Sequence, residues 1–400
     1  MMILTPVDSI RAYQDELTAI RRDIHAHPEL GFQENRTSRL VADYLQKWGI
    51  EVHRGIAKTG VVGLVTGQQS GAGIGLRADM DCLPMTETNS FPHRSTHAGR
   101  MHACGHDGHT AMLLGAARYL AETRRFAGTA VLIFQPAEEG GGGAEAMIKE
   151  GLFERFPVDA VYALHNNPSL PPGVIAVQPG PVEAAADEFE LVVNGRGGHA
   201  AIPHTAIDPV LAAGHIITAL QSIVSRNMHP LDAGVVTVAS MQSSQTTASN
   251  VIPASVRMIG TARSFTAAAR DLLEQRIGDI AANIAAAFGA SVEYVYRRGY
   301  PATVNHREQA LFAATVADSL IGADKVIRDN PLTMGAEDFS YMLQASPGAY
   351  IYLGQGGAEA SDISACDLHN DRYDFNDNVT ALGAGMLASL VEQSLPLNRS

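Results

Sequence analysis

Residues 129–134 read Thr-Ala-Val-Leu-Ile-Phe, an apolar run without alternation. A strand with one wet face alternates apolar and polar side chains, so an unbroken run needs cover on both faces. Residues 128–135 are therefore expected to form an interior strand of a sheet layered with helices. Residues 60–67, carrying Val61, Val62, Leu64 and Val65, read as another strand, as do 74–78 and 160–164. Ile10, Tyr13, Leu17, Ile20 and Ile24 recur at helical spacing and predict a helix over 9–27. Residues 35–48, closed by Gly49, and the Ala/Leu-rich stretch 110–122 predict two more. Strands alternating with helices imply an α/β domain with a covered sheet.

The order then changes. Strand 189–193, helix 208–225, strands 234–241 and 255–262, helix 267–288 and strand 291–296 make a β-α-β-β-α-β series, the ferredoxin-like arrangement. It starts after the Pro/Gly-rich stretch 168–181. Beyond it, a helix over 308–320, a loop over 333–339, a strand over 349–353 and a helix from Asn376 look like completion of the first domain. The expected organisation is a discontinuous catalytic domain, 1–184 and 298–400, with an inserted α+β domain, 185–297.

Composition narrows the function classes. With 46% hydrophobic and 18% charged residues among 400, the chain is ordinary for a globular protein. A formal net charge of −13 disfavours nonspecific binding to nucleic acid or anionic membrane. No apolar run approaches the ~20 residues of a membrane span. Cys82, Cys104 and Cys366 are too few, and odd in number, for a disulfide framework. Together with an N-terminus lacking the basic-then-apolar order of a signal peptide, they make the cytoplasm the expected location.

The chemistry-bearing residues fall in clusters. His102-Ala103-Cys104-Gly105-His106-Asp107-Gly108-His109 brings a thiol and imidazoles together at short spacing, with glycines that let backbone approach an ion. Alone, it fits a buried cysteine with helix-capping histidines equally well. Gln135-Pro136-Ala137-Glu138-Glu139 follows the interior strand. Adjacent acids point in different directions, so one can bind metal while its neighbour faces water. Alone, they also read as two solvated loop acids. Leu164-His165-Asn166 follows another apolar strand, and Asp79-Met80-Asp81 a third. Sites in open α/β sheets collect at the carboxyl ends of strands, which is where these clusters lie. Asp367-Leu368-His369-Asn370 adds a histidine near the C-terminus. The Gly140–Gly143 run lacks the Lys-Ser/Thr of a phosphate loop and reads as a flexible turn.

Taken together, the clusters resemble the M20 metallopeptidase family, in the branch of hippurate hydrolases and N-acyl-amino-acid amidohydrolases that also holds plant auxin-conjugate hydrolases. The resemblance runs over nearly the whole chain. It is carried by Arg22-Asp23-Ile24-His25-Ala26-His27-Pro28-Glu29-Leu30, Leu76-Arg77-Ala78-Asp79-Met80-Asp81, Met101-His102-Ala103-Cys104-Gly105-His106-Asp107, Phe134-Gln135-Pro136-Ala137-Glu138-Glu139, Gly197-Gly198-His199-Ala200 and Gly335-Ala336-Glu337-Asp338-Phe339.

The resemblance implies a zinc-peptidase-like catalytic domain, with a mixed sheet covered by helices, and a lid and dimerisation domain inserted in it. It implies two divalent ions (Mn²⁺, Zn²⁺, Co²⁺ or Ni²⁺) held by Cys104, His106, Glu139, His165 and His369, with Glu138 as general base. Many M20 peptidases place a ligating histidine where this chain has Asp79. Asp81 is expected to orient a ligand rather than bind metal. His199 is implied to reach the partner subunit's site and polarise the scissile carbonyl, with Asn250 as a second contact and Arg263 as a candidate for a substrate carboxylate. The implied reaction is hydrolysis of N-acyl amino acids by a homodimer. A dipeptidase or aminopeptidase is the alternative within the family. A zinc-stapled structural domain ranks last, because the implied ligands are scattered along the chain and include a carboxylate.

Overall fold

The computed structural model describes residues 5–245, 248–356 and 366–398. The chain divides into two compact units. The first holds residues 1–180, 304–331 and 338–400; the second holds 181–303 and 332–337.

The first unit is built on an eight-stranded mixed sheet. Its strand order is Glu51–Ile56, Gly60–Thr66, Ala127–Gln135, Gln69–Asp79, Ala160–Asn167, Gly348–Gly354, Ile175–Ala176 and Val326–Ile327. The four central strands, from Ala127–Gln135 to Gly348–Gly354, run parallel. Val131, Leu132, Ile133 and Phe134 are all buried, as the unbroken apolar run demands. Helix His106–Thr123 is buried along almost its whole length and packs with helices Gln14–Ala26 and Thr380–Ser394. Its interior is Ala- and Gly-rich, and Gly115 needs its missing side chain: a Cβ there would lie 2.8 Å from Leu17 Cδ1.

Helix His106–Thr123 starts four residues earlier than its apolar pattern suggests. Gly105, at φ 97°, turns the chain into the helix, and Asp107 sits in the first turn, where the N-terminal dipole favours an acid. His106 and His109 thus belong to a rigid helix and not to the loop before it. The Pro136–Gly143 turn also differs from the slack connection its glycines suggest. A Cβ on Gly143 would lie 1.7 Å from the Pro136 carbonyl oxygen, and one on Gly141 would lie 2.7 Å from Ala137 Cβ. These glycines serve close packing, and helix Gly143–Lys149 follows at once.

The second unit carries a four-stranded antiparallel sheet in the order Gly234–Ser243, Ser255–Ser264, Ala185–Asn194, Ser291–Arg298. Helices Pro209–Leu220 and Ala267–Ala287 cover one face. This is the ferredoxin-like order, with the first and third strands in the middle. The inward alternation is clean along Ala185–Asn194, where Phe189, Leu191 and Val193 are fully buried. Asp187 points inward too, and does so with partners. Arg270 Nε donates to it at 2.9 Å, Tyr296 Oη at 2.7 Å and the Gly299 N–H at 3.0 Å. Removing one partner of a buried ion pair leaves the other uncompensated. Asp187→Ala is therefore expected to cost about 3–5 kcal/mol. Urea denaturation checks this; an unchanged midpoint would show that Asp187 does not hold the unit together.

Candidate active site

The site lies at the carboxyl ends of the parallel strands of the first unit. Strand Gln69–Asp79 delivers Asp79 and Asp81, strand Ala127–Gln135 delivers Glu138 and Glu139, and strand Ala160–Asn167 delivers His165. The loop before helix His106–Thr123 supplies Cys104, and the helix's first residue is His106. His369 comes from the C-terminal segment, where its N–H donates to the Ala103 carbonyl at 2.7 Å.

These residues meet. Ligand atoms of Cys104, His106 and His165 lie within 4.8 Å of one another, as do those of Cys104, Glu139 and His369, and those of His106, Glu138 and Glu139. Cys104 Sγ is 3.4 Å from His165 Nε2, and His369 Nε2 is 3.5 Å from Glu139 Oε1. Two of the imidazoles are set by backbone. His106 Nδ1 lies 2.9 Å from the Asp81 carbonyl oxygen and His165 Nδ1 lies 2.7 Å from that of Asn166. A carbonyl only accepts, so each Nδ1 carries the proton and donates it. The Nε2 atoms are left facing the cluster, the tautomer a metal ligand needs.

The donor set fits divalent cations. His106 Nε2 and Glu139 Oε1 are buried with no hydrogen-bond partner among the described residues. Burial pushes His106 down, but Asp79, Asp81 and Glu139 outweigh it and raise it to about 10. The negative charge that would hold a proton on Nε2 would hold a cation in its place. A thiolate, imidazoles and a carboxylate together suit Zn²⁺ and several other first-row ions. Asp79, His106 and His109 form a further group within 4.8 Å. There Asp79 is already engaged: Oδ1 lies 2.6 Å from His109 Nδ1, and Oδ2 accepts from Arg77 Nη1 at 2.8 Å.

The Asp81 carboxylate holds backbone. Its Oδ1 accepts from the Glu138 N–H and its Oδ2 from the Glu139 N–H, both at 2.9 Å. The preceding N–H, that of Ala137, donates to Glu34 at 2.8 Å. Ala137 sits at φ 51°, in the left-handed region, which costs a residue bearing a Cβ roughly 1–2 kcal/mol. Glu34 is fully buried, accepts from Thr59 Oγ1 at 2.6 Å, and is pushed up by burial to about 7. Motif reading overlooks Glu34, since nothing near it in sequence hints at its partners.

A buried polar network flanks the helix start. Asp107 Oδ2 lies 2.9 Å from His25 Nδ1 and 3.4 Å from Arg21 Nη1, while Arg21 also donates to Asp374 and Asp377, both at 2.8 Å. Asp374 and Asp377 follow His369 in the chain, so Arg21 ties the histidine's segment to helix Gln14–Ala26.

His199 and Asn250 belong to the second unit. His199 pairs with Val251 in a two-stranded ladder, and the Ala200 N–H donates to the Asn250 carbonyl at 2.9 Å. Both residues are exposed. The Ala201 N–H donates to His199 Nδ1 at 3.0 Å. Nδ1 therefore accepts, and Nε2 carries the proton as an outward donor. Arg263 lies on strand Ser255–Ser264 and donates to its own strand, at Thr261 Oγ1 and the Ala262 carbonyl.

Residues 75–393 match the model of peptidase family M20/M25/M40. The chain belongs to this family. It is 41% identical to the hippurate hydrolase of Campylobacter jejuni over 384 residues, which cover 96% of this chain and 98% of the relative. It is 40% identical to the N-acetylcysteine deacetylase of Bacillus subtilis over 382 residues, covering 95% and 97%. Among solved structures, the Bacillus subtilis YXEP protein, described as a dinuclear metal-binding peptidase of the M20 family, superposes with a TM-score of 0.83. It is 33% identical, with 96% of this chain and 99% of that one covered. The chain is thus a metal-dependent amide hydrolase with an inserted α+β domain.

The network at His25 carries a pH signature. Burial pushes His25 down, but Asp107 and Glu87 outweigh it and raise it to about 9 from 6.5. A raised folded-state value means that the stabilisation is full below about 6.5 and is lost as pH rises through about 9. Urea midpoints from pH 6 to 10 should fall more steeply for the parent than for His25→Gln; parallel profiles would remove His25 from that role.

Proposed function

We propose that this protein hydrolyses the amide bond of N-acyl amino acids, releasing a carboxylic acid and a free amino acid. The observation that carries the reading is the convergence of Cys104, His106, Glu139, His165 and His369 beside Glu138, in a chain about 40% identical to a hippurate hydrolase and an N-acetylcysteine deacetylase along nearly its full length. We assign those five residues to two divalent ions and Glu138 to acid–base work. Mn²⁺, Zn²⁺, Co²⁺ and Ni²⁺ all suit a set of thiolate, imidazole and carboxylate donors.

When bound, the ions supply Lewis acidity and make water a nucleophile near neutral pH. Glu138 takes one proton from the attacking water and returns it to the departing amine nitrogen, so that water is consumed as the C–N bond breaks. Its backbone N–H, anchored on Asp81, keeps the carboxylate aimed while it shuttles the proton. His199, a neutral Nε2–H donor, hydrogen-bonds the carbonyl oxygen as negative charge develops there. Asn250, whose carbonyl accepts from the Ala200 N–H next to His199, makes a second contact with the substrate. Arg263 is assigned to a substrate carboxylate; its guanidinium otherwise donates to its own strand.

Metal-stripped protein, with each ion added back singly, should release amino acid from N-acetyl and N-benzoyl amino acids and little from simple dipeptides. Dipeptide cleavage alone would move the assignment to a peptidase. Glu138→Ala should keep its metal and lose turnover, whereas Cys104→Ala should lose metal. Normal turnover in the first, or full metal content in the second, would sink the respective role.

We further propose that the second unit mediates a homodimer and that His199 acts on the partner's substrate. Strand Gly234–Ser243 is an edge strand of its sheet, and Leu231 and Met241 are exposed beside and on it, at 89% and 48%. Unpaired strand edges with apolar side chains invite a second copy. Co-expressed Glu138→Ala and His199→Ala chains, each inactive alone, should recover about a quarter of parental activity, because half the dimers are mixed and each has one complete site. No recovery, or a fully active monomer, would place His199 in cis. Among the described residues, no helix is long and apolar enough to cross a membrane. A thiolate ligand at Cys104 favours a reducing compartment such as the cytoplasm, which cell fractionation would check.

A further inference from the structure

The two glutamates at the centre of the site hang from a turn whose leading N–H groups are anchored on buried carboxylates. The N–H groups of Ala137, Glu138 and Glu139 are consecutive, and each donates to a carboxylate oxygen at 2.8–2.9 Å: Glu34 for the first, Asp81 for the other two. Asp81 has an evident reason to be there, since its carbonyl also sets His106. Among the described residues, the Glu34 carboxylate bonds to Ala137 and Thr59 and to no candidate ligand. It enters from the start of helix Asn35–Lys47, fully buried, and splits its oxygens between the Ala137 N–H and the Thr59 hydroxyl. The residue it grips is the one in left-handed conformation. Gly31 packs on that residue so closely that a Cβ would lie 3.0 Å from Ala137 Cα. An alanine disfavours this backbone, so bonds must hold it there: the Gly143 N–H donates to its carbonyl at 3.1 Å from within the turn, and Glu34 takes its N–H from outside.

We propose that Glu34 is a positioning residue for hydrolysis: by fastening Ala137 in the left-handed region, it fixes the direction in which Glu138 and Glu139 leave the chain. Without the strap, Ala137 relaxes toward right-handed backbone, the turn rotates, and both carboxylates swing off target together. The inference rests on the amide-hydrolase reading of Glu138.

Four variants test it: Glu34→Ala, Glu34→Gln, Thr59→Val, and the double variant Glu34→Ala with Ala137→Gly. The readouts are kcat and KM on the N-acyl amino acid turned over fastest by the parent, hydrogen exchange over residues 134–143, and ion retention against a chelator. Glu34→Ala should lower kcat roughly tenfold to a hundredfold with KM changed less than about threefold, since misplacement acts on the reacting geometry. Exchange over 134–143 should quicken, and one ion should be lost more readily. Glu34→Gln retains an acceptor and should recover most of the lost kcat. The double variant should recover a large share too, because glycine adopts left-handed backbone without strain; a residue that merely filled space would show no such rescue. Parental kcat and exchange in a folded Glu34→Ala would overturn the proposal, and so would a double variant no faster than Glu34→Ala. If Glu34→Ala does not fold, Thr59→Val decides: quicker exchange with lowered kcat supports the strap, and parental values overturn it. Glu138→Ala measured alongside separates the two readings. Full turnover there removes the base and this role with it, whereas an inactive Glu138→Ala beside a parental Glu34→Ala removes only Glu34.

Discussion

Four parallel strands with no wet face can carry almost no polar side chains along their length, so their chemistry is exported to their ends. Parallel pairing puts those ends on one edge of the sheet, and on that edge Asp79, Asp81, Glu138, Glu139 and His165 gather although they lie far apart in the chain. The rest of the first unit serves that edge. Helix His106–Thr123 brings its N-terminus there, with Gly105 bending the backbone so that a histidine is the first helical residue. Arg77, buried inside strand Gln69–Asp79, is the exception that joins the ends laterally, through Asp79, Gln135 and Asp338.

Much of this architecture is legible in the sequence because desolvation writes plainly. The run at 129–134 has one solution, a covered strand, and Phe189, Leu191 and Val193 alternate as a strand with one wet face must. The β-α-β-β-α-β order carried through to the antiparallel sheet of the second unit. Motif residues are legible for a related reason. Cysteine, histidine and paired glutamates are costly to bury without partners, and five such positions singled out from the sequence lie together in space.

What the sequence hides is what depends on two distant segments at once. Glu34 looks like any acid at the start of a helix; only the fold brings Ala137 to it. Arg21 looks like a surface residue of an amphipathic helix, yet it is fully buried among Asp107, Asp374 and Asp377. The early start of helix His106–Thr123 is concealed because its first turn, His106 to His109, carries no apolar side chain. Backbone conformation is hidden as well. Ala137 and His369, at φ 51° and 62°, are left-handed without being glycine, and each is held by hydrogen bonds to a partner remote in sequence.

The packed turn from Pro136 to Gly143 bears on how such a protein changes over generations. At Gly141 and Gly143 any side chain meets backbone or Ala137, and opposite them Gly31 is shut in the same way. Mutational drift has almost nowhere to go at these three glycines, so they are a poor place for a new substrate preference to arise. The turn behaves as a fixed part of the first unit.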